Sequence, residues 1–245
     1  MANTKNKNKS ALVTGAARRI GKSIALFLAK NGYNIALHYG SSDDEAQKTA
    51  AAIRETGVIC ETFKCDFYNE DETLSLLPRV TKTFPNLTLL VNNASIFKKA
   101  AIADTDPEKF NRHIAVNLKA PFFLMRDFAR MCNTGHVINI LDSRITHTPA
   151  KRDNYAVYTL AKKALAELTR MSAVEFAPEI RVNAIAPGLI FPPAGKSEDF
   201  LNKKAQNIPL KRKGAVADIV KAVQYLLENE FITGQILYVD GGEHL

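Results

Sequence analysis

Short runs of β-type residues alternate with longer amphipathic helical patterns along the chain, and this alternation constrains the fold more than any other feature. The strand runs are predicted at residues 11–13, 34–39, 59–65, 87–91, 137–141, 181–186 and 236–239. The helical patterns are predicted at residues 20–31, 43–56, 70–84, 111–131, 155–177 and 216–229. Because parallel strands need a crossover helix between them, we expect an α/β protein with one doubly wound parallel sheet.

The size of the chain fits one domain. It has 245 residues, of which 46% are hydrophobic, enough to bury a single core. We expect a disordered polar tail at residues 1–9 and one folded domain at residues 10–245. The tail lacks the apolar run of a secretion signal, and no later run approaches the ~20 apolar residues of a membrane helix. A cytoplasmic protein that does not bind membranes is therefore expected.

Cysteine spacing and charge exclude some classes of function. Cys60, Cys65 and Cys132 fit neither a zinc site nor a C-x-x-C pair, so we expect reduced thiols and no metal site. The net charge of +8 comes from scattered basic residues without interleaved aromatic residues, so no nucleic-acid binding is predicted. The charge could instead concentrate anionic small molecules if its clusters line a cleft. The candidate clusters are Lys98-Lys99, Lys151-Arg152 and Lys211-Arg212-Lys213.

A glycine-bearing loop follows the first strand and opens the first helix. It reads Thr-Gly-Ala-Ala-Arg-Arg-Ile-Gly from Thr14 to Gly21. Gly15 permits a tight turn, and Gly21 allows close packing of the helix on the sheet. A helix N-terminus after such a loop binds pyrophosphate. The pattern predicts a dinucleotide site of the Rossmann type, with Gly15, Arg18, Arg19 and Ile20 on the cofactor.

The end of the second strand indicates which dinucleotide binds. Residues 38–42 read His-Tyr-Gly-Ser-Ser, and the first carboxylate after them is Asp43. Sites for NAD usually have a carboxylate at this strand end. Its absence predicts NADPH, with Arg19, Ser41, Ser42 and His38 around the 2′-phosphate. Two alternatives remain open: the serines could cap the next helix, and His38 could be packed or hydrogen-bonded.

Two more strand-end residues are expected near the cofactor. Tyr39 ends the second strand, and Asp66-Phe67 follows the third. Asp66 could accept a hydrogen bond from the adenine amino group. A structural cap is its alternative role.

The spaced motifs together resemble the short-chain dehydrogenase/reductase family over essentially the whole chain. They are the Thr-Gly-rich loop, Asn92-Asn93-Ala94-Ser95, Asn117, Tyr158 with Lys162, Pro187-Gly188, and Val239-Asp240-Gly241-Gly242. The resemblance implies a catalytic set of Asn117, Tyr158 and Lys162, in which Lys162 also holds the nicotinamide ribose and Asn117 supports a proton-relay water. It also implies cofactor contacts from Asn93, Ala94, Ser95, Pro187, Gly188 and Ile190. A homotetramer built on the two long helices is expected by the same resemblance.

Three departures from the common family pattern resemble the pteridine reductases. Arg19 replaces the middle glycine of the loop, Asp142 replaces the catalytic serine, and Phe97 stands where that group stacks a pterin against nicotinamide. Tyr155 before Tyr158 is also similar, although residues 142–158 form a longer stretch than in the protozoal members. The resemblance implies a pterin or folate substrate.

The predicted chemistry depends on an acid beside a phenol. Tyr158 and Lys162 lie at i and i+4, so they share one helix face, and the ammonium should lower the pKa of the phenol. In the pteridine reductase arrangement Tyr158 gives a proton to the ring nitrogen, and Asp142 can carry a proton in turn. The alternative is that Asp142 faces solvent and Ser143 is the catalytic hydroxyl.

The remaining substrate residues have open alternatives. Phe97 could stack on a flat heterocycle or belong to the core. Ser95 could bind the ring or the cofactor phosphate, and Tyr155 could close the pocket or simply start its helix. Leu189 begins a segment, residues 189–207, that is expected to lie over the substrate.

Three functions are compatible with these residues. The first is NADPH-dependent reduction of dihydropterin or dihydrofolate to the tetrahydro form. The second is NADPH-dependent reduction of a carbonyl such as a 3-oxoacyl thioester, against which Asp142 and Arg19 argue. The third is a non-catalytic nucleotide-binding protein, which the presence of Tyr158, Lys162 and Asn117 disfavours.

Overall fold

The structure is a computed structural model that describes residues 9–146, 154–192, 195 and 197–245. Three expectations therefore fall wholly or partly outside the described residues: the polar tail at 1–9, the length of the stretch between residues 142 and 158, and part of the 189–207 segment. The Lys151-Arg152 cluster also lies outside them.

Seven parallel strands form one sheet in the order β3-β2-β1-β4-β5-β6-β7, which confirms the predicted doubly wound architecture. The strands are β1 (Ser10–Val13), β2 (Asn34–Tyr39), β3 (Cys60–Lys64), β4 (Leu87–Asn92), β5 (Gly135–Ile140), β6 (Ile180–Pro187) and β7 (Ile236–Val239). All of β1 and every residue of β4 except Thr88 are buried, as expected for a parallel sheet with both faces covered.

Helices cover both faces. They are α1 (Arg19–Lys30), α2 (Asp43–Arg54), α3 (Glu70–Thr83), α4 (Pro107–Ile114), α5 (Ala120–Met131), α6 (Ala156–Glu175), α7 (Glu198–Ala205) and α8 (Val216–Glu228). Helices α1, α2 and α8 pack on one face, where Ile24, Leu28, Ile53 and Val223 join one core. Helices α3, α5 and α6 pack on the other, where Leu76, Leu124, Phe128 and Leu165 join a second core.

The fourth helix begins earlier than its apolar pattern predicted. It starts at Pro107 rather than at residue 111, and Asp106 caps it by accepting a 2.8 Å hydrogen bond from the Lys109 amide. Aspartate before proline is a strong helix-start signal that the apolar periodicity does not contain. Between α4 and α5 the chain forms a π-helical segment, Ala115–Lys119, which contains Asn117. Such π segments are frequent at functional sites.

In the part of the chain that the structure describes, no helix combines the length and the apolar character needed to cross a membrane.

Candidate active site

A cleft of about 1310 Å³ lies at the carboxyl ends of the strands, where the strand order reverses between β1 and β4. Doubly wound sheets bind ligands at this switch point. Every predicted site residue lines the cleft except Asn117 and Tyr155. The lining residues that the sequence predicted are Gly15, Arg18, Arg19, Ile20, His38, Tyr39, Ser41, Ser42, Asp66, Phe67, Asn93, Ala94, Ser95, Phe97, Asp142, Tyr158, Lys162, Pro187, Gly188, Leu189 and Ile190.

The first loop is fixed by its contacts with the end of β4. Gly15 has a φ of +63°, and a Cβ at this position would lie 2.8 Å from the Cα of Ala94. Thr14 Oγ1 accepts hydrogen bonds from the amides of Asn93 (2.9 Å) and Ala94 (3.0 Å). The turn is therefore too close to β4 for any side chain at residue 15.

The absence of a side chain at Gly21 leaves room for the side-chain amide of Asn93 as well as for the sheet. A Cβ on Gly21 would lie 2.4 Å from Asn93 Nδ2 and 2.4 Å from the carbonyl oxygen of Gly15. The Asn93 amide donates to the carbonyl oxygens of Thr14 (2.8 Å) and Gly15 (3.1 Å). The Asn93 side chain therefore fixes the loop through these two hydrogen bonds. Asn93 and Ala94 also line the cleft.

Arg19 occupies a backbone conformation that suits glycine. Its φ is +55°, in the left-handed region where a side chain costs about 1 kcal/mol or more. The side chain is exposed, and its guanidinium carbon lies 5.6 Å from the ring centroid of Phe191. The loop keeps the glycine-type backbone and gains a positive charge at the cleft.

His38 does not offer a cation to a phosphate, which corrects one of its two predicted roles. Its ring is buried, its Nδ1 accepts the Gly15 amide hydrogen at 3.1 Å, and its Nε2 lies 3.0 Å from the Cys65 carbonyl. The ring also stacks on Phe67 with a centroid distance of 4.2 Å. Burial lowers the pKa of His38 to about 4, so the ring is neutral at physiological pH. His38 supports the loop by packing and hydrogen bonding, which was its alternative role.

The first carboxylate after β2 is Asp43, at the start of α2, and it is already paired. Ser42 occupies the cap position of α2, but its hydroxyl makes no capping hydrogen bond. Asp43 lies 2.9 Å from Lys64 Nζ and accepts a 3.1 Å hydrogen bond from the Tyr39 hydroxyl. The hydrogen bond from Lys64 lowers the pKa of Asp43. The carboxylate is therefore ionised, and the Lys64 ammonium balances its charge at the edge of the cleft.

Asp66 serves the local turn after β3. Its Oδ1 accepts the Tyr68 amide hydrogen at 3.0 Å, and its own amide donates to Glu72 Oε2 at 2.8 Å. The structural role weighed for Asp66 is therefore present. The residue also lines the cleft.

Asp142 and Tyr158 form a direct hydrogen bond. The Tyr158 hydroxyl donates to Asp142 Oδ2 at 2.8 Å, while Oδ1 of the same carboxylate accepts the Arg144 amide hydrogen at 2.9 Å. Lys162, one turn along α6, is buried and donates a 2.6 Å hydrogen bond to the Ile140 carbonyl. Three ionisable groups thus meet at the ends of β5 and α6.

The pKa of the phenol moves in the direction opposite to the prediction. Burial raises the pKa of Tyr158 well above its ordinary value, and the charge of Asp142 adds to the effect. Burial also lowers the pKa of Lys162 to about 8, although Asp142 opposes this shift. The Lys162 ammonium lies 5.9 Å from the phenol ring centroid, so the nearer carboxylate and the lost solvation outweigh it.

Ser143 faces away from the phenol. It is buried, and its hydroxyl donates a 2.9 Å hydrogen bond to Oε2 of Glu243 near the C-terminus. The alternative in which Ser143 replaces Asp142 as the partner of Tyr158 is therefore wrong for this structure.

Phe97 is held by three neighbours. The Tyr155 ring stacks on it at 4.2 Å with an interplanar angle of 4°, and Tyr158 meets it edge-on at 4.8 Å. The guanidinium carbon of Arg144 lies 5.3 Å from the centroids of both Phe97 and Tyr155. Phe97 lines the cleft and Tyr155 does not, so the expectation that Tyr155 contacts substrate is corrected: its ring backs Phe97.

Asn117 is buried behind the cleft wall instead of facing the cleft. Its Oδ1 accepts hydrogen bonds from Ser95 Oγ (2.9 Å) and the Ile96 amide (3.0 Å), and its Nδ2 donates to the Ile96 carbonyl (3.1 Å). His113 Nδ1 lies 3.4 Å from the same nitrogen. The Asn117 side chain therefore positions the 95–97 segment.

Several lining residues were missed by the sequence analysis. Arg144 follows Asp142 by two positions, Lys64 ends β3, and Glu243 lies beyond the last strand. Strand ends are a usable signal for Lys64, since all strand ends meet at this edge. No motif marks Arg144 or Glu243.

Only part of the predicted basic clustering reaches the cleft. Lys98 lines it. Lys211 donates to the Gln206 carbonyl, Arg212 lies 3.9 Å from Asp218, and Lys213 pairs with Glu198. These three residues therefore form local contacts outside the cleft, which corrects the expectation for that cluster.

Comparison with known proteins places this geometry among reductases. A protein-family profile described as Enoyl-(Acyl carrier protein) reductase matches residues 15–244. The chain is 34% identical to the 3-oxoacyl-(acyl-carrier-protein) reductase FabG of Staphylococcus epidermidis over 97% of this chain and 100% of that protein. It is 32% identical to a short-chain type dehydrogenase/reductase of Picea abies, over 95% of this chain and 91% of that protein.

A solved structure is similar across the whole fold. FolM alternative dihydrofolate reductase 1 of Brucella canis, complexed with NADP, superimposes with a TM-score of 0.88 and is 36% identical. The match covers 97% of this chain and 95% of that chain.

Proposed function

We propose a function for this chain as a member of the short-chain dehydrogenase/reductase family of NAD(P)-dependent oxidoreductases, to which it belongs. The proposed reaction is the reduction of pterins with NADPH, which takes dihydropterin or dihydrofolate to the tetrahydro form. The observation that carries the proposal is the 2.8 Å hydrogen bond from the Tyr158 hydroxyl to Asp142 Oδ2. An alcohol beside the phenol can orient a carbonyl, whereas a carboxyl group can also carry a proton.

The cleft residues fit a dinucleotide. The loop from Gly15 to Ile20 lines the cleft and leads into the N-terminus of α1, where backbone amides can bind a pyrophosphate. Arg18 and Arg19 add exposed positive charge there. We assign the 2′-phosphate to Arg19, Ser41 and Ser42. The carboxylate of Asp43, next to Ser42, is already paired with Lys64 and repels a phosphate less than an unpaired one would.

Proton delivery follows from the three ionisable groups. Reduction of C=N places a hydride on carbon and a proton on nitrogen; the hydride is what NADPH supplies when bound. Tyr158 gives the proton, because its raised pKa keeps the phenol protonated at physiological pH. The Lys162 ammonium, one turn away, stabilises the phenolate as it forms. Asp142, hydrogen-bonded to the phenol at 2.8 Å, is placed to relay a proton from solvent to the Tyr158 oxygen after the phenol has given up its own.

The substrate ring is assigned to the face of the cleft formed by Phe97 and Ser95. Phe97 is held between Tyr155 and Tyr158 and so presents a fixed aromatic surface to a flat heterocycle. Ser95 donates to Asn117 and lies close enough to Tyr158 to act on its hydroxyl. Leu189, Ile190 and Phe191 also line the cleft.

Reduction of a 3-oxoacyl thioester is the second candidate. Identity of 34% to FabG over the full length of that protein favours it. The presence of Asp142 in place of an alcohol and of Arg19 in place of a glycine distinguishes the two candidates.

The experiment is a substrate panel with the purified protein. Dihydropterin, dihydrofolate, an oxidised pterin and acetoacetyl thioester are each supplied with NADPH and with NADH, and oxidation of the cofactor is followed by absorbance. We expect NADPH oxidation with the dihydropterin or dihydrofolate and a lower kcat/KM with the thioester. Turnover of the thioester alone would replace the first candidate by the second.

We also propose a homotetramer that uses the two long helices. Large apolar side chains are exposed on α5 at Phe122 and Met131, and on α6 at Leu160, Met171 and Val174. Exposed apolar patches of this kind mark protein contacts. Light scattering after size-exclusion chromatography tests the proposal, and a monomer at micromolar concentration contradicts it.

A further inference from the structure

The C-terminal turn holds one carboxylate at a fixed place in the cleft. Asp240 anchors the turn: its Oδ1 accepts the Gly242 amide hydrogen at 3.0 Å, and its Oδ2 accepts the His244 amide hydrogen at 2.8 Å. His244 Nδ1 lies 2.8 Å from the same oxygen. Glu243, between these anchored residues, is therefore not a free chain end.

The Glu243 carboxylate lies at the substrate end of the cleft. Its Oε2 accepts the Ser143 hydroxyl hydrogen at 2.9 Å, next to Asp142. A Cβ on Gly188 would lie 2.9 Å from the same oxygen, so a glycine at position 188 leaves room for the carboxylate. Glu243 also lines the cleft together with Asp142 and Tyr158.

This carboxylate has capacity for a ligand. Within the described residues, Ser143 is its hydrogen-bond partner and Oε1 accepts no hydrogen bond. The charged groups that act on it are Asp142, Arg144 and Asp240, and burial raises the pKa of Glu243. A half-buried carboxylate of this kind is stabilised by N–H donors that enter the cleft.

We propose that Glu243 is a specificity-determining residue, whose carboxylate accepts hydrogen bonds from the exocyclic amine and neighbouring ring N–H of an aminopyrimidine substrate. The inference rests on the proposed function and names the part of the substrate that is recognised. A 3-oxoacyl thioester has no such donor pair. A site that hydrogen-bonds a substrate group discriminates strongly against analogues that lack the group.

The test compares dihydropterin with dihydrolumazine, in which a carbonyl replaces the exocyclic amine. We expect the wild-type protein to prefer dihydropterin and Glu243→Gln to lose about 10-fold or more of this preference in kcat/KM, since its amide can donate to the carbonyl. Ser143→Ala keeps the Glu243 carboxylate but removes the hydroxyl that donates a hydrogen bond to it, and a smaller loss of preference is expected. Glu55→Gln, on the exposed end of α2, is the matched control, and NADPH affinity should stay unchanged in all three variants.

The outcomes separate the inference from the proposed function. If wild-type protein reduces dihydropterin and both Glu243→Gln and Ser143→Ala keep the wild-type preference, the role of Glu243 is wrong and the proposed function stands. If wild-type protein reduces only the thioester, the proposed function is wrong and the inference fails with it. If Glu243→Gln does not fold, Ser143→Ala decides the inference.

Discussion

The Tyr158 hydroxyl and the Asp142 carboxylate share a 2.8 Å hydrogen bond, and the Arg144 amide holds the other carboxylate oxygen. The carboxylate is thus fixed by the backbone on one side and directed at the phenol on the other. Because Tyr158 is buried, the loss of solvation and the Asp142 charge both keep it protonated. The Tyr158 hydroxyl therefore keeps the proton that the reduction of a ring nitrogen would require.

Removal of the Asp142 carboxyl group should affect the two candidate substrates differently. We expect Asp142→Ser and Asp142→Asn to lower kcat for dihydropterin by about 100-fold, the usual effect of losing one acid–base group. Asp142→Ser should retain or gain thioester reduction, because a serine can orient a carbonyl. Steady-state kinetics with both substrates measure this. Full pterin turnover by the serine variant would show that the carboxylate has no special role.

Part of this site could be predicted from the sequence, and the reason lies in the sheet. Residues such as Ser41, Asn93 and Asp142 follow strands, and a parallel sheet brings all strand ends to one edge. The motif spacing then identifies the loop and the helix that carry Tyr158 and Lys162.

The direction of individual side chains could not be predicted. Asp142 and Ser143 are adjacent, and only the backbone after β5 decides that Asp142 meets Tyr158 while Ser143 meets Glu243. Tyr155 lies three residues from a cleft residue yet stacks behind Phe97. Such partners come from distant parts of the chain, so no local pattern contains them.

Arg19 should lower the stability of the fold and increase the selectivity for NADPH. Arg19→Gly removes the positive-φ cost and should raise the free energy of unfolding by about 1 kcal/mol, while it loses the charge near the 2′-phosphate. We expect NADPH to bind about 10-fold more weakly and NADH to bind unchanged. Urea denaturation and cofactor fluorescence titration measure the two effects.

Arg19→Ala separates the two contributions, since it keeps the unfavourable backbone and removes only the charge. Arg19→Ala should bind both cofactors as Arg19→Gly does. Its free energy of unfolding should stay near that of the wild-type protein, because the unfavourable backbone conformation remains. An unchanged ratio of NADPH to NADH affinity in both variants would refute the assignment of Arg19.

The buried lysine should set the basic limb of the pH profile. Burial lowers the pKa of Lys162 to about 8, so the side chain loses its charge as the pH rises through that value. We expect kcat/KM, which reports the free enzyme, to fall above about pH 8. Asp142 raises the pKa of Lys162, so the residual activity of Asp142→Asn should fall at a lower pH. A wild-type limb that begins only above pH 9.5 would contradict this assignment.

His38 should make the fold less stable in mild acid. Its pKa is about 4 in the folded protein and about 6.5 in the unfolded chain, so the unfolded chain binds more protons between these values. The free energy of unfolding therefore falls as the pH decreases from 6.5 towards 4, by about 1.6 kcal/mol between pH 6.5 and 5. Urea denaturation at pH 7 and pH 5 measures the loss.

His38→Asn is the matched variant, because asparagine keeps an acceptor near the Gly15 amide and has no titrating ring. His136, whose pKa is lowered to about 3 by burial, is present in both proteins, so its contribution cancels in the comparison. We expect the variant to lose less stability than the wild-type protein over the same pH change. Equal losses would mean that the pKa of His38 is not lowered in the folded protein.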